Sequence, residues 1–108
     1  MQIAFFDWDQ MEWEVVDALT SRKVVHLDGV MLVLFRLVKG SDAPPHAHPH
    51  EQLATVLSGS IIAQIGEESK AIGPMGGYRV PSGVPHKVTV LEDALILDCF
   101  SPLREDFL

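Results

Sequence analysis

Turn-forming residues interrupt this chain at short intervals, and their spacing limits its fold more than any other feature of the sequence. The turn signals are Asp28-Gly29, Lys39-Gly40, Ser58-Gly59, Gly66, Gly73-Pro74, Gly76-Gly77, Pro81-Ser82-Gly83 and Glu92-Asp93. Short runs rich in Val, Ile and Leu lie between them, at residues 23–27, 30–38, 53–57, 61–65, 78–80, 87–91 and 94–100. Many short strands with regular turns predict an all-β sandwich or barrel.

The N-terminal region is ambiguous in secondary structure. Residues 9–19 fit a short helix, and Trp13, Val15 and Val16 fit a strand equally well. A chain of 108 residues has room for one domain. We predict a single domain over 1–108, with an arm and first strand at 1–22, a barrel core at 23–103 and a tail at 104–108.

Charge and targeting signals restrict the partners and the location of the chain. Its formal net charge is −7, and no basic stripe is visible, which argues against nucleic-acid binding. The longest apolar stretch, residues 30–35, is far too short to span a bilayer, so we expect no membrane association. A lone cysteine, Cys99, and an N-terminus without signal-peptide features predict a cytoplasmic protein.

The run at residues 94–100 alternates in a way that predicts two covered faces. Asp98 and Phe100 fall on one face, and Cys99 falls on the other as a small hydrophobic residue. Both faces are largely apolar, so one face would meet the opposite sheet. The other face would meet either a second subunit, which predicts a homodimer, or a packed N-terminal arm.

Four residues from two separate stretches form a candidate metal site. His46 and His48 are two apart, so both project to one face of a strand, and Pro49 favours extended geometry at His48. Gln52 could supply an oxygen ligand, and His86 follows a Pro-x-Gly turn on another strand. The alternatives are histidines that bind no metal and a Gln52 that bonds to backbone.

Two neighbours compete for the same role. Strict alternation would also turn His50 inward, and Glu51 is a carboxylate beside it. We interpret both as residues that flank the mouth of the site.

These stretches resemble the two sequence motifs of small single-domain cupins. The first motif, G-x5-H-x-H-x3-E-x6-G, matches Gly40, His46, His48, Gln52 and Gly59, with Gln in place of Glu. In the second motif, G-x5-P-x-G-x2-H-x3-N, Pro81, Gly83 and His86 match, the first Gly is shifted, and Val90 replaces Asn. The resemblance covers roughly residues 30–103. It implies a double-stranded β-helix, or jelly-roll, of two antiparallel sheets with one metal in its mouth.

The types of ligand limit which metals and which chemistry the site supports, and they do not name the metal. Imidazole and amide ligands suit zinc, nickel, iron or manganese. Gln52 removes the negative charge that Glu would bring, so a divalent ion would be a stronger Lewis acid and a poorer support for a higher oxidation state.

A narrower resemblance is to cupins of pectin and uronate breakdown. It rests on His48-Pro49-His50-Glu51-Gln52 and on a C-terminal pattern in which Asp98, Phe100 and Arg104 would line the pocket. The activity implied is ring-opening of a 4,5-unsaturated uronate, with Asp98 as the acid–base group and Arg104 holding a substrate carboxylate. A structural ion pair or a dimer contact is the alternative for Asp98 and Arg104.

The leading hypothesis is therefore a metal-dependent isomerase or lyase that acts on a small carboxylated sugar. There are two alternatives. One is an iron-dependent cupin dioxygenase, and the other is a non-catalytic module that binds or senses a small ligand.

Overall fold

Seven strands and two short 3-10 helices make up the secondary structure of residues 4–108, which the computed structural model describes. The strands are β1 (Glu14–Asp17), β2 (Thr20–His26), β3 (Met31–Leu37), β4 (Glu51–Ile65), β5 (Glu68–Ile72), β6 (Gly77–Val80) and β7 (His86–Ser101). The 3-10 helices are Trp8–Gln10 and Glu105–Phe107. The all-β prediction is confirmed, and the ambiguous N-terminal region contains a strand, β1, rather than an α-helix.

All strand pairs are antiparallel, and they are linked along one hydrogen-bonded path. Its order is β1-β2-β3-β7-β4-β5, and β6 pairs with β4 beside this path. The first half of β4 pairs with the end of β7, and the second half of β4 pairs with the start of β7. The two long strands therefore run through both layers of the fold.

A bulge lies at the centre of β4, where the sequence predicted a turn. Gly59 has a φ of +80°, and the register of β4 against β7 shifts between Val56 and Ile61. A Cβ at Gly59 would lie 2.1 Å from the Asp93 carbonyl oxygen, so this close approach requires glycine. The turns predicted at Ser58-Gly59 and Glu92-Asp93 are therefore wrong, because both segments continue as bulged strands.

One strand was missed altogether in the sequence. The segment Glu68–Ile72 is polar and mostly exposed, and it pairs with the second half of β4 at the edge of the sheet. An edge strand with a solvated face lacks the apolar run that marks a strand in sequence.

The side chains of β7 alternate as predicted. Asp98 and Phe100 point inward and are buried, whereas Cys99 lies on the outer face and is partly exposed. The core on the inner face consists of Ala54, Val56, Ile61, Ala63, Ile72, Val90, Ala94 and Ile96, next to a second cluster of Met31, Val33 and Phe100.

The N-terminal arm covers part of the outer face. Lys23 lies against the Trp13 ring and donates a hydrogen bond to the Trp8 carbonyl oxygen, and Arg36 also lies over Trp13. Beside Lys23 in the sheet, Leu34 is buried as well. The arm therefore packs on β2 and β3. No helix among residues 4–108 is long and apolar enough to cross a membrane.

Candidate metal centre and its cavity

The backbone itself brings the two histidine stretches together. The His46 amide donates to the His86 carbonyl oxygen at 3.0 Å, and the His86 amide donates to the His46 carbonyl oxygen at 2.9 Å. The Gly83 amide also donates to the His48 carbonyl oxygen, at 2.8 Å. Gly83 adopts a φ of +77°, a conformation that glycine reaches without strain. The Pro-x-Gly turn therefore fixes His86 opposite His46 and His48.

Three imidazoles converge on one point. One ring nitrogen from each of His46, His48 and His86 lies within 4.8 Å of the others. His48 and His86 are buried and His46 is exposed, so the site opens toward solvent at His46. This is the three-histidine donor set that zinc and other divalent transition ions accept.

Hydrogen bonds to backbone fix the protonation of two of these rings. His48 Nδ1 lies 3.0 Å from the His50 carbonyl oxygen, and His86 Nδ1 lies 2.9 Å from the Val84 carbonyl oxygen. A carbonyl oxygen only accepts, so each Nδ1 carries the proton and each Nε2 presents a lone pair. The buried His86 Nε2 has no hydrogen-bond partner among the described residues. Its lone pair is therefore available to bind a cation.

Gln52 completes the set. Its Oε1 lies 3.2 Å from His48 Nε2. With the His48 proton on Nδ1, these two atoms are both acceptors and face each other without a proton between them. A cation bound by both would satisfy them. The structure thus brings together all four residues that the sequence predicted as ligands.

Loss of hydration favours the neutral forms of His46 and His48, and a metal ligand must be neutral. The pKa of His46 is lowered first by partial desolvation, although the residue as a whole is exposed, and then by the neighbouring His86, His48 and Arg104. The pKa of His48 is lowered by burial, and then by Arg104 and His86. Both rings therefore resist protonation at neutral pH.

Asp98 is a buried carboxyl group on the inner face of β7. Its side chain is 4% exposed, and Oδ1 is buried without a hydrogen-bond partner among the described residues. Burial raises the pKa of Asp98 to about 7, against smaller lowering effects from a Gln52 hydrogen bond and from Arg104.

Aromatic rings and a guanidinium enclose the remaining side of the site. The Phe100 ring lies 5.9 Å from the His48 ring, and the Arg104 guanidinium lies 5.2 Å from the Phe100 centroid. Arg104 also forms a two-point ion pair with the exposed Asp106. Phe100 and Arg104 line a cavity of about 290 Å³ together with Gln52, His46, His86 and Asp98, at the lower end of the size range for small-molecule sites.

His50 and Glu51, the two residues predicted to flank the site, have different surroundings. His50 Nε2 is 3.0 Å from the Leu103 carbonyl oxygen, which ties the ring to the C-terminal tail. Glu51 is exposed. Among residues 4–108, the converging group of His46, His48 and His86 includes neither of them.

Among the cavity residues that the sequence did not single out are Arg22, Tyr78 and Phe107. Tyr78 pairs with Ala54, which also pairs with Asp98 on the other side. Burial, and then the Asp98 charge, raise the pKa of Tyr78 well above its usual value, so the hydroxyl stays protonated. The alternation of β6 places Tyr78 and Val80 on one face of the strand. The sequence does not show that this is the inner face, so it could not place Tyr78 in the cavity.

Comparisons with known proteins agree with the geometry. The model of the cupin domain matches residues 33–100. The pectin degradation protein KdgF of Dickeya dadantii (strain 3937) is 33% identical over 107 residues, covering 96% of this chain and 97% of that protein. The structure of KdgF from Halomonas sp. superposes with a TM-score of 0.92 at 30% identity, covering 97% of this chain and 98% of the other. An RmlC-like cupin from Shewanella frigidimarina NCIMB 400 superposes with a TM-score of 0.92 at 27% identity, covering 97% and 96%.

Proposed function

The chain belongs to the cupin family, and we propose that it is a metal-dependent isomerase or lyase that acts on a small sugar acid such as a 4,5-unsaturated uronate. The observation that carries this proposal is the convergence of three imidazoles and an amide oxygen beside a cavity that also contains a buried carboxyl group. The similarity to KdgF, a pectin degradation protein, supports the substrate class.

Under this proposal, His46, His48, Gln52 and His86 hold one divalent ion, which is zinc, nickel, iron or manganese. All four ligands are neutral, so a bound ion keeps its double positive charge and supplies Lewis-acid polarisation of a substrate oxygen. The partner is a small molecule that enters from the His46 side, where the site is open.

Asp98 is assigned the proton transfer. Ring-opening of an unsaturated uronate moves one proton: the anomeric hydroxyl loses it as the bond from C1 to the ring oxygen breaks, and C4 gains it as the enol becomes a ketone. A carboxyl group with a pKa of about 7 is present in both protonation states at neutral pH. It can therefore accept the proton from the anomeric hydroxyl and return one proton to C4, which leaves Asp98 in its starting state.

Arg104 and Phe100 are assigned to substrate binding. The Arg104 guanidinium lies in the cavity wall and offers the planar donors that a carboxylate prefers. Phe100 is buried between Arg104 and His48, so it limits the space on that side and excludes water.

The test is turnover by metal-loaded protein. A panel of 4,5-unsaturated uronates is added, and loss of the ring enol-ether absorbance is followed. We expect turnover with at least one uronate, and we expect Asp98→Asn to abolish it without loss of metal. No turnover with any uronate in a fully metal-loaded sample would refute the proposal. Oxygen uptake by an iron-loaded sample would favour a dioxygenase, and saturable binding without turnover would favour a binding module.

We also propose that residues 1–108 form a single domain and that the protein is cytoplasmic, homodimeric and free of nucleic-acid partners. The negative charge argues against nucleic-acid partners, and the single cysteine fits the cytoplasm. The apolar outer face of the sheet supports a homodimer.

A further inference from the structure

A second guanidinium lies in the cavity wall, and neither the motifs nor the proposed function uses it. Arg22 lies in β2, which pairs with β1 on one side and β3 on the other, opposite Glu14 and Phe35 respectively. Its side chain is 12% exposed and lines the same cavity as His46, His86 and Asp98. An arginine placed this deeply is expected to have its donors occupied.

The donors of Arg22 are only partly occupied. One terminal nitrogen donates to Glu14 Oε1 at 2.9 Å, and that carboxylate is 57% exposed. The Nε–H group is buried and has no hydrogen-bond partner among the described residues. In contrast, the Nε of Arg104 already donates to Asp106. Of these two guanidinium groups, Arg22 is the one with an unused buried donor.

Aromatic stacking holds the two guanidinium groups near each other. The central carbon of Arg22 lies 4.2 Å from the Phe107 centroid, and that of Arg104 lies 4.4 Å from the same centroid. The two carbons are therefore no farther apart than the sum of these distances. Cation–π contacts fix the position of a guanidinium and leave its in-plane N–H groups free to donate.

We propose that Arg22 shares the substrate carboxylate with Arg104, with Thr20 beside Arg22 on the same face of β2, and that Glu14 occupies part of this subsite when no ligand is bound. Thr20 and Arg22 are two residues apart, and both line the cavity. A carboxylate satisfies the orphaned Nε–H and competes with Glu14, whose exposure makes it an easily displaced partner. This inference rests on the proposed function and refines it, because it makes the cavity selective for acids over neutral sugars.

The test is equilibrium binding to metal-loaded protein, with D-galacturonate as the acidic probe and D-galactose as the neutral one. We expect the wild type to bind galacturonate more tightly. We expect Arg22→Gln to weaken galacturonate binding about tenfold or more, and to change galactose binding little. Arg22→Lys keeps the charge without the planar donors, and we expect intermediate binding.

We expect Glu14→Gln to change galacturonate binding in the opposite direction from Arg22→Gln. It removes the competitor, so we expect it to tighten galacturonate binding, whereas a purely structural ion pair would make Glu14→Gln and Arg22→Gln equally harmful. Arg79→Gln and Glu12→Gln are the matched controls, because both are exposed residues outside this cavity and carry the same charge changes.

Unchanged galacturonate binding in Arg22→Gln, or a wild type with no preference for the acid, would overturn the role of Arg22. Turnover of unsaturated uronates is measured separately. If Arg22→Gln binds and turns over like the wild type, this inference fails and the proposed function stands. If the wild type turns over no uronate, the proposed function fails whichever way the binding result falls.

Discussion

Asp98 is a carboxyl group inside a largely apolar cavity, and its energetics depend on its protonation state. Its folded pKa of about 7 lies above the ordinary value of 3.8, and the leading cause is burial. Between these two values the folded protein keeps a proton that the unfolded chain has released. The contribution of Asp98 to the free energy of unfolding is therefore full at acidic pH and is lost as the pH rises through 7.

We predict that metal-free Asp98→Asn loses this pH dependence. The wild type should lose roughly 4 kcal/mol of stability from this group between pH 4 and pH 8, because each pKa unit corresponds to about 1.4 kcal/mol. Urea unfolding at several pH values measures the effect. Protonation of His46 and His48 opposes folding below their ordinary pKa in both proteins, so the difference between the two curves isolates Asp98. Parallel curves for variant and wild type above pH 5 would contradict this assignment.

Single residues differ in how far the sequence reveals them. The convergence of His46, His48, Gln52 and His86 could be predicted because their spacing and turn residues are local, and the buried position of Asp98 because it interrupts an apolar strand. Arg22 could not, because an arginine in a strand has no distinguishing local pattern. Its place in the cavity depends on pairing with β1 and β3, which the sequence does not specify.

At the scale of elements, β4 and β7 decide the architecture. Each passes through both layers, and the bulge at Gly59 lets β4 bend without breaking its pairing with β7. The sequence predicted the individual runs correctly but divided both strands at turn signals. A glycine at positive φ serves a turn and a bulge equally well, and only the partner strand distinguishes them.

We predict that Gly59→Ala destabilises the fold by roughly 3 kcal/mol, because the new Cβ would collide with Asp93 backbone in a left-handed conformation. Urea unfolding at neutral pH measures the loss. Gly29→Ala is the matched control, since a Cβ there has nothing within 4 Å. Equal stability of the two variants would show that the bulge tolerates a side chain.

At the scale of the whole molecule, the outer face of the sheet is only partly covered. The arm packs on β2 and β3, but Leu53 on the outer side of β4 remains 59% exposed. Leu32, Leu95, Leu97 and Cys99 lie on the same side and are partly exposed. A continuous apolar surface of this kind fits a second copy of the chain, since self-association buries the same patch on both subunits.

We predict that the protein elutes as a dimer and that Leu53→Glu makes it monomeric, because the new charges would be buried at the interface. Light scattering after gel filtration measures the mass. Met75→Glu is the control, because Met75 is an exposed apolar residue in the loop before β6. A monomeric wild type, or a dimer unaffected by Leu53→Glu, would contradict the predicted interface.

We infer that two distant stretches of the chain bind one cation, and elemental analysis of the purified protein is the decisive test. After loading with a divalent transition metal and dialysis, wild-type protein and His26→Ala should retain one equivalent per chain. His26 is exposed and contacts only the neighbouring Leu27 carbonyl oxygen in the described hydrogen bonds, so its loss should not disturb the site. His48→Ala should retain almost none. Full metal occupancy in His48→Ala would show that these residues are not the ligands.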